Sequence, residues 1–477
     1  MTCKLSNMKI LMVGMLLPNM PSSGEDGHIK KLALELINRG HQVDVLTVIP
    51  DSQARVETAN ENGINFIIIR RQKPYMYHSI VAPINEIYDD ESLNIFYSIM
   101  KQLGKYDIIH YHSMYPLATA EYLKQFTDRL IHTMHGTYII NPLMHTYSAL
   151  EIQKDPYGCI GQNEFTTDRF TKEYIALTGN QMEDLYDKIY PQMQERLDYG
   201  RYLLEEVFDD VISNGYFGLH AYLDFGVNPK KISIIEFPVN NKLTDEIIEY
   251  AENKYSKRYS NYVYSYLSNW QHMKGQHTFV KAFEYISANN VEGRLYGEMN
   301  INPAYKNLVA ELIENNKNLR KKIKLKGAYK HTELKNILDE TYIHVNTQAW
   351  KLGQTGSFYE ALMNGLMQIW TPSVHTLTEM KFKDEYYING NITDKNLYKL
   401  YDFEFKYADK PKESLYKLYT EDFKDYIFDC GDYKSLAKKI EKSIGKNHFN
   451  VWLKLAQERQ RQVNYTFDEY LERLYGI

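Results

Sequence analysis

A turn of small residues followed by a glutamate is the part of this sequence whose chemistry is easiest to interpret. It lies in QAWKLGQTGSFYEALMNGLMQIW, residues 348–370, where Glu360 falls one turn into a predicted helix that ends at Gly365. The turn contains Gly353, Thr355, Gly356 and Ser357. Backbone N–H groups at a helix start attract phosphate, and a carboxylate beside them accepts two sugar hydroxyls. The segment predicts a sugar-diphosphate site, although an ordinary loop–helix–strand unit would show the same pattern.

Three other residues lie beside glycines at predicted strand–helix junctions. Lys274 precedes Gly275 at the start of a helix, where its ammonium can reach a phosphate as a point charge. His135 follows a strand and can donate to a sugar hydroxyl or to a leaving group. Gly24 opens the helix after the first strand, where it can face a phosphate or simply begin the helix. Each residue alone is equally compatible with a structural role.

The arrangement of carboxylates and glycines disfavours two common enzyme classes. Glu25, Asp26 and Glu360 lie near predicted turns, but none forms the close carboxylate pair used in glycoside hydrolysis. The sequence has no G-x-x-x-x-G-K-[ST] and no H-E-x-x-H, and the turn before Glu360 lacks the G-x-G-x-x-G spacing of a dinucleotide site. A hydrolase and a dehydrogenase are therefore disfavoured.

Bulk properties give few clues about partners. The net charge is −5, which argues against nucleic acid as a general partner. The apolar stretch 8–17 lacks a cleavage site, and no apolar run approaches the roughly 20 residues that span a bilayer, so we expect a cytoplasmic protein. A peripheral membrane contact stays open. The three cysteines have no metal-binding spacing, so we expect neither metal nor cofactor; they are Cys3, Cys159 and Cys430.

Apolar strands alternate with helices along most of the chain, which is typical of parallel βαβ units in doubly wound sheets. We predict a first Rossmann-like domain over residues 1–238 and a second over 239–457. A polar, tyrosine-rich insertion at about 141–200, mostly helical in pattern, interrupts the first domain and is either an acceptor-binding lid or a surface elaboration. An amphipathic helix at about 458–477 is expected to pack back on the first domain. The predicted strands include Lys9–Val13, Gln42–Ile49, Asn65–Arg70, Tyr106–His112, Tyr262–Ser268 and Tyr342–Asn346.

The order of these segments resembles the GT-B glycosyltransferases, in particular the large retaining family 4. The similarity spans most of the chain and is weakest over 141–200. It is carried by SSGEDGHIKKLALELINRGHQVDVLT, YDIIHYHS, HTMHG, HMKGQHTFVKAFEYI, FYEALMNGLMQIWTPS and the closing VNYTFDEYLERLYGI.

The resemblance implies a role for each candidate residue. Gly24 would lie against the donor phosphates, His135 would touch the donor sugar, Lys274 would pair with the diphosphate, and Glu360 would hold the ribose. The backbone of Thr355, Gly356 and Ser357 would line the pyrophosphate. His135 and Glu360 are the expected catalytic residues, and no metal is expected.

Two positions depart from the family pattern. Asn269 stands where the family usually has an arginine, five residues before Lys274. Leu352 stands where it usually has a glutamate, eight residues before Glu360, although Gln354 can substitute if the turn is rearranged. Losing one charge-assisted bond costs about 1.5–3 kcal/mol. The departures predict an unusual donor or a poor catalyst.

Three functions are compatible with these residues and with the resemblance. The first is a retaining transferase that moves a sugar from a nucleotide diphosphate, expected to be UDP, to an unknown glycan, lipid-linked or protein acceptor. The second is a non-catalytic GT-B subunit that partners an active glycosyltransferase. The third is an enzyme of the phage type that glycosylates DNA bases, which the net charge disfavours.

Overall fold

The computed structural model of the chain contains two mainly parallel β-sheets, each flanked by helices. This architecture confirms the predicted α/β class with doubly wound sheets. The structure describes residues 7–19, 24–71, 90–112, 119–135, 199–214, 222, 227–238, 242–270, 274–300, 303–347, 356–371, 423–428, 431–463 and 465–477. Most of the predicted insertion, residues 141–198, lies outside these ranges.

Eight strands, β1 to β8 in chain order, form the first sheet. Their order across the sheet is 3-4-2-1-5-6-7-8, and every pair is parallel except β3 with β4. Helices cover both faces of such a sheet, so its strands read as continuous apolar runs. The strands are Lys9–Val13, Gln42–Pro50, Arg55–Glu61, Ile64–Arg71, Tyr106–Tyr111, Thr127–Met134, Asp210–Ser213 and Ile232–Ile234.

The edge strand β3 is an addition to the predicted set. It forms an antiparallel hairpin with β4 through Asn62 and Gly63, whose φ angles are 54° and 85°. Positive φ at both central residues is the requirement of a type I′ turn, and Asn-Gly is the sequence that best meets it. The strand itself carries mostly polar, exposed residues, so hydrophobic periodicity does not reveal it.

The helices of the first sheet are α1 (Glu25–Asn38), α2 (Asp90–Leu103) and α3 (Ala120–Leu123). A π-helical turn, Leu203–Val207, precedes β7. The first helix begins at Glu25, directly after Gly24, which has a φ of 64°.

The second sheet contains five strands, all parallel, in the order 11-10-9-12-13. Its strands are Tyr262–Leu267, Val291–Tyr296, Ile323–Gly327, Ile343–Asn346 and Gln368–Trp370, numbered β9 to β13. Among the described residues, eight helices accompany it, numbered α4 to α11: Asp245–Ser256, Gln276–Ala282, Pro303–Glu314, Lys317–Lys322, Leu334–Glu340, Gly356–Met363, Tyr433–Ser443 and Phe449–Gln462. The predicted domain bounds at 238 and 457 stay predictions.

The last helix, α12 (Phe467–Tyr475), returns to the first sheet after α11 has packed on the second. Its buried residues Tyr470, Leu471 and Leu474 join the apolar cluster that contains Leu32 and Leu36 of α1. A capping box begins the helix, since Thr466 and Glu469 bond to each other's backbone N–H. No helix among the described residues is long and apolar enough to cross a membrane.

Leu474→Ala should destabilise the first domain by about 2–5 kcal/mol, because the removed side chain has no exposed surface and leaves a cavity between α12 and the first sheet. Urea unfolding followed by circular dichroism measures the loss, and hydrogen exchange assigns it to the first sheet. The matched control is Glu472→Ala, an exposed position on the same helix, with an expected change within about 0.5 kcal/mol. Equal effects of the two changes would show that α12 is not docked.

Candidate functional site

Each sheet has a point where successive connections leave in opposite directions, and ligands of open α/β sheets bind beyond the strand carboxyl ends at such points. In the second sheet this point lies between β9 and β12, because β10 and β11 lie on one side of β9 and β12 and β13 on the other. Lys274 follows β9, and α9 with Glu360 follows β12. The topology therefore brings these two predicted residues to neighbouring strand ends.

The backbone at Lys274 is held by two hydroxyl groups. The Tyr266 hydroxyl donates to the Lys274 carbonyl. Thr347 Oγ1 donates to the carbonyls of Lys274 and Gly275, at 3.1 Å and 2.7 Å. Gly275 has φ 75°, and a Cβ there would lie 2.3 Å from the Thr347 carbonyl oxygen. Glycine is therefore required by both conformation and space, and the turn fixes where the Lys274 side chain begins.

Burial lowers the pKa of Lys274 to about 8. Removing an ammonium from water disfavours its charged form, whereas a nearby anion restores it. A lysine in this state is suited to a phosphate ligand, because the ligand replaces the hydration that burial removed.

The start of α9 offers the second anion-binding feature. Its first turn contains no acidic residue, Gly356 is exposed, and Ser357 is partly exposed. Glu360 is also partly exposed. Burial raises the pKa of Tyr329 to about 12, and the negative charge of nearby Glu360 adds to this rise. Three residues of the preceding turn, Leu352, Gln354 and Thr355, lie outside the described residues, so their expected roles stay predictions.

Asn269 lies at the carboxyl end of β9, half-buried, as its sequence position predicts. Its carbonyl accepts a 2.9 Å hydrogen bond from Gln276 Nε2, and the next residue, Trp270, donates its N–H to the Glu298 carbonyl at 3.0 Å. The segment is thus fixed from both sides, and it presents a neutral amide where the family pattern has a cation.

In the first sheet the corresponding point lies between β1 and β5. Gly24 caps α1 beyond β1, and a Cβ added there would meet nothing within 4 Å. The first turn of α1 carries Glu25 and Asp26, so its dipole already faces two carboxylates. A phosphate would be attracted less strongly here than at α9.

His135 belongs to a histidine cluster, made up of His28, His110, His112 and His135, at the carboxyl ends of β5 and β6. His112 Nδ1 lies 3.2 Å from His135 Nε2, so one imidazole donates to the other. The His28 ring centroid lies 4.8 Å from that of His135, and the His110 ring lies 3.8 Å from that of His112. The cluster orients His135 from two sides.

These imidazoles are neutral near pH 7. Burial lowers the pKa of His135 to about 3. The pKa of His132 on β6 is also lowered to about 3, mainly by burial and to a smaller extent by the charge of His135. Burial is also the largest cause that lowers the pKa values of His28, His110 and His112. His135 therefore acts as a neutral hydrogen-bonding group, able to donate to a hydroxyl but not to provide a positive charge.

The helix α12 supplies polar partners to the same cluster. The Tyr470 hydroxyl lies 3.0 Å from His28 Nε2, and the Tyr475 hydroxyl lies 2.7 Å from His110 Nδ1. Phe237, from the segment after β8, packs on His28 with ring centroids 4.2 Å apart. The end of the chain thus supports the predicted site residue His135.

A cavity of about 530 Å³ lies elsewhere in the second domain. Its lining includes Asn261, Glu292 and Lys322, at the amino ends of β9, β10 and β11. Because parallel strands place Lys274 and Glu360 at the opposite edge, this cavity is not part of the candidate site. In the described part of the chain, no three His, Cys, Asp or Glu residues are grouped to hold a metal ion.

Residues 24–242 match the sequence model of Glycosyltransferase Family 4. The chain is a glycosyltransferase of the GT-B fold. Its fold is also that of solved structures with low sequence identity. The α,α-trehalose-phosphate synthase of Burkholderia xenovorans aligns with a TM-score of 0.56 and 11% identity over 98% of this chain and 100% of its own.

Two other solved structures share the fold of this glycosyltransferase. Sucrose-phosphate synthase from Thermosynechococcus elongatus aligns with a TM-score of 0.52 and 15% identity, covering 96% of this chain and 100% of its own. A trehalose-6-phosphate protein of E. coli, bound with UDP-2-fluoro glucose, aligns with a TM-score of 0.53 and 8% identity, covering 98% of both chains. A search of curated protein sequences found no match.

Several residues that hold the candidate site residues in place were not predicted. Thr347 and Tyr266 hold the Lys274 backbone, and His28 and Tyr470 lie around His135. Tyr266 is the fifth residue of β9 and Thr347 directly follows β12, so the rule that ligands bind beyond strand carboxyl ends could have indicated both. Tyr470 had no local signal, since its contact with His28 joins residues 442 positions apart.

The stability of the glycosyltransferase should fall as the pH drops below 6.5. In this pH range His132 is protonated in the unfolded chain but stays neutral in the native chain, where its pKa is about 3. The native state is therefore disfavoured. His132→Gln should reduce the pH slope of the unfolding free energy between about pH 5.5 and 4 by about 1.4 kcal/mol per pH unit. Urea unfolding at several pH values measures the slope. A variant that is less stable at every pH with an unchanged slope would contradict the prediction.

Proposed function

We propose that this glycosyltransferase is a retaining enzyme that transfers a sugar from a UDP-linked donor to an acceptor hydroxyl. The observation that carries the proposal is that two anion-binding features follow the neighbouring strands β9 and β12. They are the constrained turn at Lys274 and the start of α9, whose first turn contains no acidic residue. The family match over residues 24–242 supports the transfer chemistry. Two neighbours of the same fold are named as UDP-forming or bound to a UDP sugar, which supports UDP as the donor nucleotide.

Each residue has a distinct role in this proposal. The Lys274 ammonium neutralises the diphosphate, and the N–H groups at the start of α9 donate to its oxygens. The Glu360 carboxylate accepts the two ribose hydroxyls, and neutral His135 donates to a hydroxyl of the donor sugar. Gly24 leaves space beside the phosphates. None of these steps requires a metal ion.

Retention follows if attack and departure occur on the same face of the sugar. The bond from the anomeric carbon to the diphosphate oxygen breaks, and a bond from that carbon to the acceptor oxygen forms. The acceptor proton passes to the departing diphosphate oxygen, so no protein nucleophile is needed. Interactions of Lys274 and α9 that strengthen as negative charge grows on the diphosphate would lower the barrier.

The first experiment is a nucleotide-sugar panel with the purified chain. Thermal stabilisation reports binding, and slow release of the nucleotide diphosphate reports cleavage of the donor. A ligand at a hundred times its dissociation constant stabilises the fold by about 2.7 kcal/mol. Stabilisation by UDP sugars with release of UDP supports the proposal, and a response to another nucleotide alone would overturn the choice of UDP.

Glu360→Gln should weaken UDP binding by about 1.5–3 kcal/mol, because an amide accepts the ribose hydroxyls less strongly than a carboxylate. Titration calorimetry with UDP and with 2′,3′-dideoxy-UDP tests the contact itself. The variant should bind dideoxy-UDP as the unaltered protein does, since the hydroxyls are then missing. Glu314→Gln, at the exposed end of α6, is the matched control and should change neither affinity. An equal loss for both nucleotides would remove Glu360 from the ribose.

UDP affinity should fall above pH 8, because Lys274 loses the proton that pairs with the diphosphate. With a pKa of about 8, the charged fraction at pH 9 is about one tenth, which predicts roughly tenfold weaker binding than at pH 7. Lys274→Arg should bind UDP with a flat pH profile over this range, since arginine stays charged. Parallel slopes for the two proteins would assign the effect to another group.

Asn269 favours one alternative, a non-catalytic GT-B subunit of an active glycosyltransferase. A neutral amide replaces a diphosphate-binding cation, which weakens the stabilisation of the leaving group more than the binding of a neutral acceptor. Turnover by the isolated chain distinguishes the two functions. Asn269→Arg should raise that turnover if the enzyme is merely slow.

A further inference from the structure

A buried arginine lies where the chain passes between the two sheets. Arg459 on α11 has no exposed surface, and its Nη1 donates to the Glu236 carboxylate, which is almost fully buried in the segment after β8. The Tyr465 hydroxyl, just before α12, donates to the Glu236 carbonyl. The outgoing segment at Glu236 and the returning segment at Tyr465 are therefore joined to each other and to α11.

The same guanidinium contacts the helix that carries the candidate ribose-binding residue. Its central carbon lies 3.7 Å from the ring centroid of Tyr359, the residue before Glu360 on α9. A second contact joins the same two helices, because Trp452 Nε1 of α11 donates to the Leu362 carbonyl of α9 at 2.8 Å. The orientation of α9 is thus set from α11.

The environment of Arg459 leaves it little freedom to move. Among the described residues its Nε and Nη2 have no hydrogen-bond partner, although both are buried. Within the described part of the chain, one carboxylate and one aromatic face hold the guanidinium, so its position follows that of Glu236 and Tyr359 together. An arginine is suited to this double contact, because the face of its guanidinium stacks on an aromatic ring while its edge donates hydrogen bonds to a carboxylate. A lysine ammonium can make only one of these two contacts here.

We propose that Arg459 is a positioning residue for donor binding, which holds α9 against the Glu236 segment so that Glu360 meets the ribose hydroxyls. The inference rests on the proposed function for the identity of the ligand, but not for the contact between Arg459 and α9. The segment after β8 has two such contacts, since Glu236 binds Arg459 and Phe237 packs on His28.

Arg459→Lys tests the contact while keeping the charge beside Glu236. In the protein without ligand, hydrogen exchange of the α9 amides, residues 356–363, should become faster, because the stacking on Tyr359 is lost. Exchange in α8, residues 334–340, should not change. The matched control is Arg461→Lys, two residues along the same helix, where the arginine pairs with Glu458 at the surface. Unchanged exchange in α9 would overturn the proposal whatever the function is.

Nucleotide binding tests whether the contact acts through Glu360. Arg459→Lys should weaken UDP binding roughly tenfold and dideoxy-UDP binding by less than about twofold. Adding Arg459→Lys to Glu360→Gln should cause little further loss. If both nucleotides weaken equally while Glu360→Gln alone is selective for the ribose hydroxyls, Arg459 is only structural. If the unaltered protein binds no UDP, the proposed function fails, and the exchange experiment still decides whether Arg459 holds α9.

A second variant removes both buried charges together. Arg459→Met with Glu236→Gln leaves no unpaired charge, so it should fold with a melting temperature closer to that of the unaltered protein than either single change gives. It should nevertheless keep the reduced preference for UDP over dideoxy-UDP. Recovery of the full preference in this double variant would overturn the positioning role.

Discussion

The ion pair between Arg459 and Glu236 is the contact on which the two-domain arrangement depends. Removing two charges from water is costly, and each is tolerated only while the other is in place. The arginine lies on α11, which packs on the second sheet, and the glutamate directly follows β8 of the first sheet. Neither segment can therefore shift at this point without exposing or separating the charges.

Polar groups inside the first domain follow a different rule from that pair. The histidine cluster is largely buried and uncharged, and hydroxyls bond two of its members: Tyr475 and Thr133 for His110, and Tyr470 for His28. A tyrosine combines an apolar ring with one polar tip, so it can fill a core and still complete a hydrogen bond. This explains how a chain with 42 tyrosines buries many of them, including those that hold the Lys274 turn and the Glu236 carbonyl.

The sequence predicts those parts of the molecule that follow from local pattern. Lys9–Val13 was predicted with the observed bounds, because a strand buried on both faces is recognised by its continuous apolar run. Edge strand β3 was not predicted because its residues face solvent, and only the Asn62-Gly63 turn indicated it. Lys274 and Glu360 were found through neighbouring glycines, whereas Arg459 was not, since its partner Glu236 is 223 residues away and no spacing rule connects them. Residues 136–198 and 348–355 fall outside the described residues, so the predictions made for them stay predictions.

The docking of α12 also has a consequence for the order of events during synthesis. His28 and Tyr470 are 442 residues apart, so at the usual rate of about 5–20 residues per second the ribosome needs roughly 20–90 s to make the second after the first. Through that interval α12 cannot yet cover the face of α1 and the first sheet on which it later packs. The nascent first domain therefore presents an apolar surface to chaperones until translation has passed residue 475.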